Sequence, residues 1–244
     1  MASTMLSTSK RSKRDVPLLH SGDHLDQPEF HRRYEAYPDP RARFELIGGV
    51  VYMMAPAGFE HGASGFDVCG ILSWYAARTP GVVGVSGATV LLGQYSEPEP
   101  DAALLVKPEF GGQTRLKKVK DKHYIEGPPE LVLEVSHSTV GLDLRGKRSD
   151  YAQAGVLEYI VVCLDDRVTR WFDLAKGKEL KLNRQGVIKS IAFPGLWIDT
   201  PALLSRDLNR LFRMLEKGFA SAAHRRFVAA LESRRLKVAG RNRT

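Results

Sequence analysis

Apolar and polar positions alternate with period two through ELVLEVS (130–136). Leu131, Leu133 and Val135 fall on one face, with Val132, Glu134 and Ser136 on the other. The pattern predicts a strand that carries a carboxylate within an apolar run. An uncompensated buried charge is costly, so Glu134 must be protonated, paired or bound to a cation. GVVGVSGATVLLG (81–93) and DAALLVK (101–107) predict further strands, and VLEYIVVCL (156–164) reads as an apolar central strand. FELIGGVVYMM (44–54) predicts a hairpin about Gly48-Gly49.

Helical spacing appears in LDQPEFHRRYEAYP (25–38), with Phe30, Tyr34 and Tyr37 on one stripe before Pro38. It recurs at 61–77, where Val68, Ile71, Leu72 and Tyr75 align, and at 143–155, which Gly155 closes. Two C-terminal helices are predicted over about 201–217 and 221–237. RVTRWFDL, KELKLN and VIKSIAF read as antiparallel strands, and the lysine-rich GGQTRLKKVKDKHYIEGPP as a long polar loop. This order predicts an α/β fold, a mixed β-sheet flanked by helices. Residues 1–20 read as a flexible basic arm, 21–200 as the main domain, and 201–244 as C-terminal helices and a basic tail.

Composition narrows the function. With 244 residues and 43 % apolar content, the chain can bury a substantial core. No apolar run approaches the ~18 residues of a membrane span, and the basic N-terminus lacks the apolar stretch of a secretory signal. Cys69 and Cys163 are too few for a disulfide framework or a zinc site, so a reducing cytoplasm fits. The net charge of +8 is unevenly spread: residues 206–244 hold eleven basic and three acidic side chains, whereas 15–205 hold 21 basic and 25 acidic. Basic ends suit a polyanion, and equally suit solvated tails. GGVV, GASG and GVVGVSG lack the spacing and the lysine of a phosphate loop, which disfavours a nucleotide-binding enzyme.

Three positions carry candidate chemistry. Asp101 follows Pro100 at the mouth of a strand, a placement shared with ordinary turn chemistry. Glu134 lies inside its strand. Lys147 shares a helical stripe with Leu144 and Tyr151, at i, i+3 and i+7, which turns it toward the sheet unless it snorkels. Two acids and an inward lysine suit Mg²⁺ or Mn²⁺ with a phosphate substrate. A sugar hydrolase with paired carboxylates would leave Lys147 without a role.

At these residues the chain resembles the PD-(D/E)XK nuclease superfamily. More narrowly, FELIGGVVYMMAP, His61-Gly62, EPEPDAALLV, PELVLEVSHST, DLRGKRSDYAQAGVLEYIVV and FPGLWID are similar to Uma-type restriction endonucleases of bacteria, over about residues 25–235. The resemblance implies a restriction-endonuclease-like core in the bacterial cytoplasm, Mg²⁺ or Mn²⁺ dependence, and hydrolysis of DNA, by a homodimer by analogy. It makes Asp101 and Glu134 metal ligands and Lys147 the catalytic lysine. Glu45 becomes a further acid holding a metal-bound water or a second metal, and His61 and Ser136 accessory candidates. Ser136 stands where the superfamily's lysine would follow Glu134 by two, so the signature depends on Lys147 from the following helix. On the same fold, a catalytically silent DNA-binding or assembly module is the alternative. LKKVKDK (116–122) is a candidate flap on the DNA backbone, or simply a solvated loop.

Overall fold

The computed structural model describes residues 16–241; of the arm predicted over 1–20, residues 1–15 lie outside the described residues. Helix α1 (Gln27–Glu35) starts where the Asp26 carboxylate accepts a hydrogen bond from the Glu29 N–H, with Pro28 in the first turn. Strands β1 (Phe44–Ile47) and β2 (Val50–Met53) form the expected hairpin. Gly48 and Gly49 close it at φ of 58° and 78°, a left-handed pair that glycine adopts without strain. Helix α2 (Phe59–Ala77) buries the predicted stripe of Val68, Ile71, Leu72 and Tyr75.

The apolar run at 81–93 is two strands rather than one. β3 (Val82–Val85) joins the main sheet, the chain turns at Gly87, and β4 (Val90–Leu91) enters a separate small sheet. After β5 (Ala102–Val106) comes a second correction. The segment expected to be a long loop is a hairpin of β6 (Arg115–Val119) and β7 (Lys122–Glu126). Its two-residue turn, Lys120-Asp121, puts Lys120 at φ of 56°. Only Ile125 of these two strands is buried, so no apolar alternation announced them.

β8 (Leu131–Ser136) is followed by α3 (Val140–Leu142), a π-helical turn over Asp143–Lys147 and α4 (Arg148–Ala154), ended by Gly155 at φ of 97°. This segment carries the chain over to β9 (Glu158–Cys163), which runs parallel to β8. A parallel neighbour requires such a crossover. β10 (Val168–Asp173) and β11 (Lys178–Glu179) extend the sheet to the order β11-β10-β9-β8-β5-β3, antiparallel except at β8–β9. β12 (Val187–Lys189) and β13 (Trp197–Asp199) pair apart from it.

The two sheet faces bury different layers. Leu131, Leu133 and Val135 pack with Leu104, Ile160 and residues of α2, while Val132 packs with Ala103, Val161 and Tyr151 of α4. The helix predicted over 201–217 is broken into α5 (Thr200–Leu204) and α6 (Leu208–Phe219). Arg206 takes a left-handed φ of 58°, and Asp207 caps the new helix by accepting from the Arg210 N–H. Helix α7 (Ala222–Arg241) follows, and Leu211, Leu215 and Leu231 join the α2-side core. Among the described residues, no helix is long and apolar enough to cross a membrane.

Candidate active site

Backbone pairing assembles the first part of the site. Ala102 faces Leu133 across β5 and β8, so the preceding Asp101 lies opposite Glu134. Two hydrogen bonds lock this register: the Val135 N–H donates to Asp101 Oδ2 at 2.7 Å, and the Asp101 N–H to Glu134 Oε2 at 3.4 Å. Alternation turns Glu134 to the face of Val132, toward the crossover helix rather than toward α2.

The π-helical turn delivers the second part. It buries Asp143 and Lys147, and Tyr151 follows four residues on, also buried. The inward line is therefore Asp143–Lys147–Tyr151, whereas the predicted stripe put the half-buried Leu144 in the first place. Wide turns of this kind recur at functional sites. Lys147 Nζ lies 3.1 Å from Glu134 Oε1, 2.9 Å from Glu45 Oε2 and 3.7 Å from Asp143 Oδ1. The Tyr151 hydroxyl donates to Glu134 Oε1 at 2.9 Å. Glu45, on β1, also accepts from the Glu99 N–H at 2.7 Å. Asp143 accepts from Ser136 Oγ and Thr139 Oγ1, each at 2.6 Å.

Electrostatics follow from this packing. Burial alone would push the Lys147 pKa down, but Glu134, Glu45 and Asp143 more than offset it, and the ammonium is held charged. Glu134 is pushed up to about 8, first by burial; Asp101, Glu45 and Asp143 add to the shift and Lys147 opposes it. His61, in the first turn of α2, sits with Nε2 3.4 Å from Asp101 Oδ2. That carboxylate raises its pKa, with burial opposing.

A cavity of about 300 Å³ opens onto this cluster, lined among others by Asp101, Glu134, Glu45, Lys147, His61 and Arg43. The structure thus brings Asp101, Glu134, Lys147, Glu45 and His61 to one cleft. Ser136 reaches it indirectly, as a donor to Asp143. Asp143 and the Tyr151 hydroxyl were missed in sequence. Asp143 carried a signal, since it stands four residues before Lys147; Tyr151 was legible only as an apolar stripe member. His137 lines the rim and pairs with Asp165 at 2.8 Å, and Gln153 bonds Ser149 on the exposed side of α4. Lys120 and Lys122 of the hairpin pair with Glu35 on α1 at 3.2 and 3.1 Å.

The donor set fits a hard divalent cation. Among the described residues, no three His, Cys, Asp or Glu side chains surround a common point that could hold a metal, because the carboxylates are gathered about the Lys147 ammonium. Mg²⁺ does not need three: one or two carboxylates, waters and substrate phosphate complete its shell. Asp101 and Glu134 supply two adjacent oxygen donors at the cleft. Three carboxylates face one ammonium, Asp101 adds a fourth beside Glu134, and buried Glu45 Oε2, although close to Nζ, makes no hydrogen bond. The cluster is short of positive charge.

The model of the family described as "Uma2: Putative restriction endonuclease" matches residues 28–201, well over half of the chain. The fold is similar to a solved structure, "a putative nuclease belonging to DUF820" from Anabaena variabilis ATCC 29413. The TM-score is 0.57 at 10 % identity, covering 71 % of this chain and 96 % of that one. At that identity the likeness shows the fold: a restriction-endonuclease-like mixed sheet flanked by helices, as the sequence implied. Among curated proteins there is no match.

Proposed function

This chain belongs to the family described as "Uma2: Putative restriction endonuclease", and from that premise we propose that it hydrolyses phosphodiester bonds of DNA with the help of a divalent cation. The observation that carries the reading is the convergence of Glu134 and Glu45 on a buried, charged Lys147, with Asp101 from a third strand end beside Glu134, in one open cleft. Asp101 and Glu134 would hold Mg²⁺ or Mn²⁺. When bound, such a cation lowers the pKa of a water and offsets charge on the phosphate.

The remaining residues position and compensate. Tyr151 and Lys147 fix Glu134 Oε1, leaving Oε2 with only the long contact from the Asp101 N–H. Glu45 and Glu134 engage two protons of Lys147, and Asp143 stands at a looser distance. The third proton can turn toward the attacking water or a phosphate oxygen, where a fixed cation stabilises developing negative charge. Ser136 and Thr139 hold Asp143 in place, and His61 restrains Asp101.

The test is cleavage of supercoiled plasmid and of single-stranded circular DNA, in EDTA, Mg²⁺ or Mn²⁺, beside Glu134→Gln. The reading predicts metal-dependent cleavage that the variant loses. Cleavage that persists in Glu134→Gln would place the chemistry elsewhere. Binding of DNA without any cleavage would make the chain a silent DNA-binding module.

A further inference from the structure

We infer that the strand accepted by this cleft is unpaired at the scissile nucleotide: the substrate is single-stranded DNA, or an unpaired tract within a duplex, rather than a continuous duplex. This rests on the nuclease reading above and names its substrate class.

Depth is the first argument. Glu45, Glu134 and Lys147 are all buried, so a reacting phosphate has to enter the cleft rather than rest across its mouth. The cavity, about 300 Å³, is of small-ligand size. A phosphate drawn into it brings its own sugar and base.

The walls are the second argument. One is the segment between β2 and α2, Met54-Ala55-Pro56-Ala57-Gly58, which carries no charge. In the chain this segment is flanked by Met53, 59 % exposed, and Phe59, 78 % exposed. The cleft lining contributes two permanent cations, Arg43 and Lys147, and both are already paired, with Glu99 and with the site carboxylates. A duplex is gripped chiefly by free cations on its phosphates. An apolar wall beside a phosphate site instead suits a nucleotide whose base has left the stack. Bases stack on aromatic rings with little regard to sequence, and a single strand avoids the unpairing cost of a duplex.

The test uses fluorescent oligonucleotides of one sequence as single strand, blunt duplex and centrally gapped duplex. Binding is followed by anisotropy with Ca²⁺ and cleavage is mapped with Mg²⁺. We expect single-strand and gapped forms to bind about tenfold or more tighter than blunt duplex, with cuts confined to unpaired nucleotides. Phe59→Ala should remove most of that advantage and Phe59→Trp retain it; because Phe59 is exposed, both should melt like the wild type. Phe66→Ala, equally exposed but two turns further along α2 from the lining segment, should matter less. Equal or tighter binding and cutting of blunt duplex would overturn the inference and leave the nuclease reading standing. Discrimination unchanged in Phe59→Ala, with a dimer becoming a monomer, would assign this face to a second copy of the chain. No binding or cutting of any oligonucleotide would overturn both readings.

Discussion

Glu134 and Glu158 are buried carboxylates on neighbouring parallel strands, at opposite ends of the same sheet. Glu158 starts β9, in register with Leu131. It accepts from Ser190 Oγ and the Ile191 N–H, both at 2.6 Å, and from the Ala192 N–H and Trp171 Nε1, both at 3.2 Å. Burial raises its pKa while these donors pull it back. Nearby, Glu130 accepts from the Val106 and Gln113 N–H groups, each at 2.8 Å. At that end, acids satisfy backbone donors and tie loops to the sheet. At the other end, Glu134 shares one ammonium with Glu45 and Asp143, and Asp101 adds a further carboxylate. Burial alone therefore does not mark a functional acid. Neutral donors complete a fold; crowded like charges leave a site in need of a cation.

The largest effect should come from Lys147→Met. Removing one partner of a buried charge cluster costs about 3–5 kcal/mol, so the variant should melt well below the wild type and cleave no DNA. A variant that stays active would show that the lysine is structural filler.

Exchanging the two glutamates sharpens the contrast. Glu134→Gln should lower metal-dependent cleavage about a thousandfold or more with little loss of melting temperature. Glu158→Gln should do the reverse: it puts an amide among donors that need an acceptor, costing about 1–3 kcal/mol, while cleavage per folded molecule holds. If both variants lose activity and stability alike, the two ends are not different in kind.

Acidity gives a smaller, signed effect. Glu134 binds its proton more tightly in the folded chain, with a pKa of about 8 against an ordinary 4.5. Its contribution to stability is therefore complete below about 4.5 and lost as pH rises through 8. In EDTA, thermal scans from about pH 5 to 8, the interval between the two values, should show stability falling. Glu134→Gln should flatten this slope, and Mg²⁺ should reduce it, because the cation competes with the proton. A slope unaltered in Glu134→Gln would trace it to other groups.

The smallest effect is expected for Tyr151→Phe, which removes one hydroxyl donor from Glu134. A single hydrogen bond to a charged group contributes roughly 1.5–3 kcal/mol at most, so cleavage should fall by about a hundredfold or less with the fold intact. A loss as large as that of Glu134→Gln would give the hydroxyl a direct part in the chemistry.

What could be foreseen in the sequence depended on periodicity. Period two put Glu134 on the face opposite Leu133, and helical spacing turned Lys147 inward; both hold in the structure. The hairpin of β6 and β7 was hidden because its strands are almost wholly exposed and offer no apolar alternation. The break before α6 depends on one left-handed residue, Arg206, a conformation that no spacing reveals. Glu158 passed as part of an apolar strand, since its donors lie 13 and 32–34 residues further along the chain. Asp143, four residues before Lys147, was legible as a neighbour on the same helical face and was passed over for the apolar Leu144 beside it.

The central claim is that Glu134 and Asp101 bind a divalent cation whereas Glu158 does not. Calorimetric titration of Mn²⁺ into the wild type and into Glu134→Gln, Asp101→Asn and Glu158→Gln tests it without relying on any substrate. The account predicts one binding event in the wild type and in Glu158→Gln, lost or greatly weakened in the other two. Unchanged Mn²⁺ binding in Glu134→Gln would contradict it and leave the buried acid as no more than the counter-ion of Lys147.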